Sequence, residues 1–168
     1  PKITGVSDSD KGKVTVDPAA EISSVDITIP VVVDESGMET QYVGGTASIG
    51  ETPYSANQIV QVIDGQDWTL VSGAIVTIKG QLVVPEGSKV IIQDGAQLII
   101  NGKVASEIDG VVTLGVDMDE IATSINGTDY YGGILKIDDS TVNFNADVEI
   151  SGSLVVINKG VANFDANI

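Results

Sequence analysis

The sequence predicts an all-β protein. It reads as a three-sided parallel β-helix whose coils recur every 20 to 22 positions, right-handed by expectation, preceded by a small antiparallel β element. Three observations lead there. GAIVTIKG at 73–80 and GAQLIING at 95–102 repeat Gly, Ala, Ile and Gly in the same order, 22 positions apart. Glycine recurs at 65, 73, 80, 87, 95, 102 and 110, at every seventh or eighth position. Between these glycines lie IVTI, QLVV, KVII and QLII, runs too short and too β-branched for helices. Each unit is therefore one short strand plus a turn, and three units make one coil.

The inner wall follows from the residues that recur at that interval. Val60, Leu82 and Val104 form one expected column, Trp68, Val90 and Val112 a second, and Leu70, Ile92 and Leu114 a third. Val76 matches Leu98, Ile78 matches Ile100, and Ala74 matches Ala96. Between them Thr77, Lys79, Gln81, Lys89, Gln97, Asn101 and Lys103 take alternate positions that a strand turns outward, joined there by apolar Ile75, Ile91 and Ile99. Stacked one strand spacing apart, the inner columns become continuous ladders, and glycine at the corners supplies a positive φ for sharp bends.

Residues 1–57 precede this repeat and read as a separate element, a cap or a donor of strands. VDITIPVVV alternates apolar Val25, Ile27, Ile29, Val31 and Val33 with Asp26, Thr28, Pro30 and Val32, as one long strand would. Pro30 has no N–H for a ladder, which places this strand at an edge or at the end of a pairing. KVTVD from Lys13 and QYVGGTASIG from Gln41 read as further strands. Residues 58–168 form the β-helix, interrupted by an excursion at 115–131, GVDMDEIATSINGTDYY, in which DEIATSI is compatible with one helical turn. The repeat resumes with a shorter coil of 20, pairing Leu135 with Val155, Ile137 with Ile157, Phe144 with Phe164, and Val148 with Ile168.

Composition limits the chemistry. The chain has 168 residues, 24 acids, 8 lysines and a formal net charge of −16, with no arginine, histidine or cysteine. Such charge repels phosphate backbones and anionic membranes, so neither nucleic acid nor lipid headgroup is an expected partner. The usual ligands for zinc, copper and iron are absent, as are imidazole catalysis and a bidentate clamp for phosphate. No apolar run is long enough to span a bilayer. The chain begins at Pro1 and its first methionine is Met38, which reads as a processed or trimmed chain with any signal peptide removed.

The stretch VIDGQDWTLVSGAIVTIKGQLVVPEGSKVIIQDGAQLIINGKV, from Val62 to Val104, resembles the repeats of archaeal secreted adhesin-like and surface-layer-associated β-helical proteins. In those, a DG-x-x-W-T-L entry is followed by L-x-V-P-E-G and G-A-x-L-x-I-x-G runs. The resemblance implies a cell-surface location and a structural or adhesive role.

Candidate sites are few. Asp8 and Asp10 in SDSDKGK open like a calcium loop but lack its later ligands, and Asp117, Asp119 and Glu120, with Asp129, make a second acidic cluster. Such ligands suit hard cations, calcium among them, sugars or no ligand at all, and no cofactor is required. Asn126-Gly127-Thr128 is a glycosylation sequon, and Tyr130 and Tyr131 could stack on a sugar or close the excursion against the wall. No enzyme is expected: β-helical hydrolases need carboxylates facing across a cleft, whereas Asp138 and Asp139 are adjacent corner residues.

The expected function follows from the ends. VANFDANI runs to Ile168 still in the repeat pattern, without a polar or helical cap, so either the chain was trimmed there or something in an assembly covers that edge. The reading is a structural subunit of an extracellular filament, sheath or surface layer, joined to copies of itself by addition of the Val25–Val33 strand. The alternative is a monomeric surface adhesin, a stalk presenting residues 115–131 to surface glycans. A viral fibre segment would instead trimerise.

Overall fold

The computed structural model describes residues 32–33, 37–115, 121–125 and 127–165. These form a β-solenoid of about five turns whose three parallel sheets are the three sides of the expected helix. A short strand β1 (Val32–Val33) precedes the first coil, which is β2 (Glu39–Val43), β3 (Gly45–Thr46) and β4 (Gly50–Tyr54). The second coil is β5 (Gln58–Val62), β6 (Asp67–Leu70) and β7 (Ala74–Ile78), and the third β8 (Gln81–Val84), β9 (Lys89–Ile92) and β10 (Gln97–Ile100). The fourth starts with β11 (Ser106–Ile108) and β12 (Val111–Leu114), leaves the wall through a hairpin of β13 (Ile121–Ile125) and β14 (Thr128–Tyr131), and returns as β15 (Ile134–Asp138). Then follow β16 (Thr141–Phe144), β17 (Val148–Ile150), β18 (Ser153–Ile157) and β19 (Val161–Phe164). Sheet A stacks β1-β2-β5-β8-β11-β16-β19, sheet B β3-β6-β9-β12-β17, and sheet C β4-β7-β10-β15-β18.

The lumen is a single aliphatic core. Trp68 stacks on Val90 and Val90 on Val112, while Leu70, Ile92 and Leu114 form the neighbouring lane, in the expected register. Sheet C aligns Val76 with Leu98 and Ile78 with Ile100. All of these side chains are buried, and each full burial of this kind is worth roughly 1.5–3 kcal/mol.

Four expectations about the tube wall are corrected, all at corners. The first concerns the N-terminal boundary. β2, β3 and β4 pair in parallel with β5, β6 and β7, so Glu39–Tyr54 is the first coil of the solenoid and not part of an antiparallel element reaching residue 57. At this end, among the described residues, only β1 pairs antiparallel, on the outer edge of β2. No constant period marks this coil because β2 and β3 are joined by Gly44 alone, where β5 and β6 are joined by residues 63–66. Gln41 consequently lies beside Val60, whereas Gly45, four positions further on, lies beside Trp68, eight positions further on.

The second correction is Val104, which is 42 % exposed and lies outside the inner column. The corner before β11 is longer than the one before β8, so Val83 pairs with Glu107 and Ser106 takes the place above Leu82. The Ser106 hydroxyl is buried and accepts the Leu82 backbone N–H at 2.9 Å.

Third, Leu135 pairs with Leu154, not Val155, and Asp138, not Ile137, pairs with Ile157. One extra residue sits in the following corner. Asn158 and Lys159 both adopt positive φ (50° and 65°) where the coil below has only Asp139 (48°). That residue restores the expected pairing on sheet A, where Phe144 stacks on Phe164 with centroids 4.8 Å apart and rings 8° from parallel. Ile168, the expected partner of Val148, lies outside the described residues.

Finally, the corner glycines are of two kinds. Gly73 and Gly95 take the left-handed conformation expected of them, with φ of 89° and 76°. Gly80 and Gly102 do not: a β-carbon there would overlap the backbone carbonyls of Gln58 and Gly80 respectively. They let adjacent coils approach closely.

Candidate assembly interface

A parallel solenoid satisfies its backbone groups coil on coil, so unpaired groups and unburied core gather at the ends. Large apolar side chains that remain exposed lie mainly there: Tyr42 and Ile49 in the first coil, and Ile150, Val156 and Val161 in the last. Among the described residues, β3 and β4 at one end and β17, β18 and β19 at the other each have a strand on one side only.

At the N-terminal end the lumen opens into a hollow of about 350 Å³ whose lining includes Tyr42, Val43, Thr52, Tyr54 and Trp68. Small residues make it hollow: Gly45 stands beside Trp68, and Thr52 opens the row that continues as Val76 and Leu98 in later coils. Tyr54 packs against the core from this rim, and burial raises its phenol above the ordinary tyrosine range.

The C-terminal end is built differently. On β19, Ala162 and Phe164 face inward, half-buried against the core, while Val161 and Asn163 face out. Two polar ladders climb the outer face of sheet A to this edge. Asn163 Nδ2 donates to Asn143 Oδ1 at 2.8 Å, and Asn143 Nδ2 donates to Glu107 Oε1 at 2.7 Å. Beside them Asn145 Nδ2 donates to Asp109 Oδ1 at 2.8 Å, beneath Asp165, whose backbone N–H reaches the Phe144 carbonyl. Both ladders point their donors down the solenoid. The edge is left with acceptors, the Asn163 Oδ1 and the exposed Asp165 carboxylate.

The corner between sheets C and A carries a related set. Asn158 Nδ2 donates to Asp138 Oδ1 at 2.9 Å, and Lys103 Nζ contacts Asp139 Oδ2 at 2.5 Å. The hydrogen bond from the Lys103 ammonium, reinforced by its charge, holds the Asp139 carboxyl below the ordinary aspartate range. Asp138 and Asp139 are thus tied to neighbouring coils across a corner.

Most residues singled out from the sequence lie outside the described residues: Asp8, Asp10, Val25, Ile27, Ile29, Val31, Asp117, Asp119, Glu120 and Asn126. Val33 is placed. Its backbone pairs with Glu39 of its own chain, so the end of the long apolar stretch covers the first edge of sheet A in cis. Among the described residues no group of three or more acidic side chains is arranged to hold a metal, and Asp129 is engaged by the Ser124 hydroxyl.

The excursion contains no helical turn at 121–125. It is a hairpin in which Ile125 pairs with Thr128 across residues 126–127, with Gly127 at φ 79°. Asn-Gly flanked by extended residues is a strong two-residue hairpin signal, and reading it as a sequon alone hid the turn. Tyr131 closes the hairpin on the wall: its N–H donates to Ser153 Oγ, which donates in turn to the Tyr131 carbonyl at 2.9 Å. Tyr130 precedes it on β14, half-exposed. Compared with family models, curated proteins and solved structures, the chain finds no match.

Proposed function

We propose that this chain is a non-enzymatic structural subunit of an extracellular filament, sheath or surface layer that assembles with copies of itself by strand addition. The observation that carries this reading is the edge of β19. A strand with neighbours on one side only, among the described residues, joins a half-buried aromatic inner face to an outer face that presents the Asn163 Oδ1 and the Asp165 carboxylate. Such an edge is completed by another strand, which supplies the missing backbone bonds and covers the core. Because the two ends of the solenoid differ, a contact between them is heterologous and propagates without closing. The polar, acidic side walls keep the assembling molecules soluble and direct association to the ends.

Negative-stain electron microscopy of the purified chain, with calcium and with a chelator, tests the proposal. Regular filaments or tubes are the expected result, and their loss in chelator alone would assign calcium to the contacts. Compact monomers in both conditions would overturn it and move the function to adhesion through residues 115–131.

A further inference from the structure

The edge of β19 prescribes the strand that completes it. Inward, that strand must place an apolar side chain over the Phe164 ring, which already stacks on Phe144, and a second one over the small Ala162. Outward, it must bring donors or positive charge to Asn163 Oδ1 and to Asp165, in a neighbourhood where Asp147 and Glu149 are also exposed. The pattern required is cation or hydroxyl outside, aliphatic inside, alternating.

Val25–Val33 fails the outward half of this test. Its outward positions are Asp26, Thr28, Pro30 and Val32, which bring an acid to an acidic edge and a proline to a backbone that needs an N–H. The end of that stretch is also engaged elsewhere, because Val32 and Val33 pair with Thr40 and Glu39 of the same chain. Lys13-Val14-Thr15-Val16 meets both halves. Lys13 opens this strand with Lys11 two positions before it, while Asp17 follows Val16, so the positive charge lies at the N-terminal end of the segment, the end that an antiparallel register brings to Asp165.

We infer that Lys13–Val16 of a second copy adds to β19 as an antiparallel strand. Lys13 then faces Asp165, Val14 covers Phe164, Thr15 donates its hydroxyl to Asn163 Oδ1, and Val16 lies over Ala162. The opposite edge of sheet A is closed in the same sense, by the antiparallel β1. The chain between Val16 and Val32 reaches up to about 50 Å when extended, so the segment can leave its own first coil and arrive at a neighbour's last. This inference rests on the strand-addition reading and specifies its donor, acceptor and register.

The chain has no cysteine, so cross-links report single positions. Full-length Thr15→Cys chains, size-tagged, are mixed with full-length Asn163→Cys chains under mild oxidation and run on a non-reducing gel. A mixed disulfide dimer is expected. It should be lost when Lys13→Glu is added to the first chain and restored when Asp165→Lys is added to the second. A mixed dimer from Thr28→Cys but not Thr15→Cys would overturn the choice of strand. So would a monomeric, internally cross-linked product from the Thr15→Cys/Asn163→Cys double variant, which places the strand in cis. Filaments by microscopy without the Thr15–Asn163 link would overturn this inference and spare the assembly reading, whereas neither filaments nor link would overturn both.

Discussion

Ile91 and Ile92 are chemically identical neighbours on β9, and the solenoid predicts opposite consequences for changing them to aspartate. Ile92 is wholly buried between Leu70 and Leu114, whereas Ile91 is outward, between Thr69 and Thr113. Emptying the Ile92 site costs about 2–5 kcal/mol, from lost transfer and the residual cavity. A buried carboxyl without a partner adds about 1–3 kcal/mol. Together these approach the whole stability of an ordinary domain, about 5–15 kcal/mol. Ile91→Asp loses only β-propensity and some contact, about 1 kcal/mol. Trp68, the one tryptophan, is buried in the adjoining lane beside Val90, so its fluorescence during urea unfolding reports the right region. With a slope near about 2 kcal/mol per molar urea, a difference of at least about 2 kcal/mol separates the two midpoints by about 1 M or more. Equal midpoints for the two variants would show that β9 does not have this register.

Three other substitutions probe the corners. Gly102→Ala should lower the urea midpoint more than Gly87→Ala: the first drives a β-carbon into the Gly80 carbonyl, while the second meets open space and loses only the left-handed preference, about 1–2 kcal/mol. Ser106→Ala should cost about 1–3 kcal/mol, because it leaves the Leu82 N–H buried without its acceptor, and amide exchange at Leu82 should accelerate. For Asp139, the depressed carboxyl means that its contribution is fully present above the ordinary aspartate value and is lost as pH falls through and below it. Carboxyl titration followed by NMR should therefore find Asp139 low in the native chain and returned to the ordinary range in Lys103→Ala, with little change in overall stability because the pair is exposed.

The repeat was legible where corners have constant length. From Asp67 to Ile100 each side of the tube recurs at one constant interval, so the pattern alone aligns Trp68 with Val90 and Leu70 with Ile92. Every misplacement comes from a corner that gained or lost residues, because a corner's length leaves no hydrophobic signature. A longer corner before β11 put Ser106 where Val104 was expected, and the single Gly44 hid an entire coil. A one-residue change inverts the faces of the strand that follows, as at β18, where Val155 lies beside outward Lys136. Positive φ at Asn158 and Lys159 is the compensation that brings Phe164 back over Phe144.

The candidate edge was half legible for the same reason. VANFDANI keeps the repeat pattern, so β19 is legible as a wall strand with Ala162 and Phe164 inward. Its specificity lies in the direction of the ladders, which is a property of stacked coils. Asn143 could donate up or down. Glu107, an acceptor only, sits one coil below it, so Asn143 donates down and presents its oxygen to Asn163, which must donate down as well. A single carboxylate on β11 thereby sets the polarity of both amides above it in this ladder and leaves an acceptor at the top. Replacing Glu107 with lysine reverses that logic. Asn143 would then accept from below and donate upward, Asn163 would present its amide N–H, and an edge complementary to lysine and threonine would become complementary to a carboxylate.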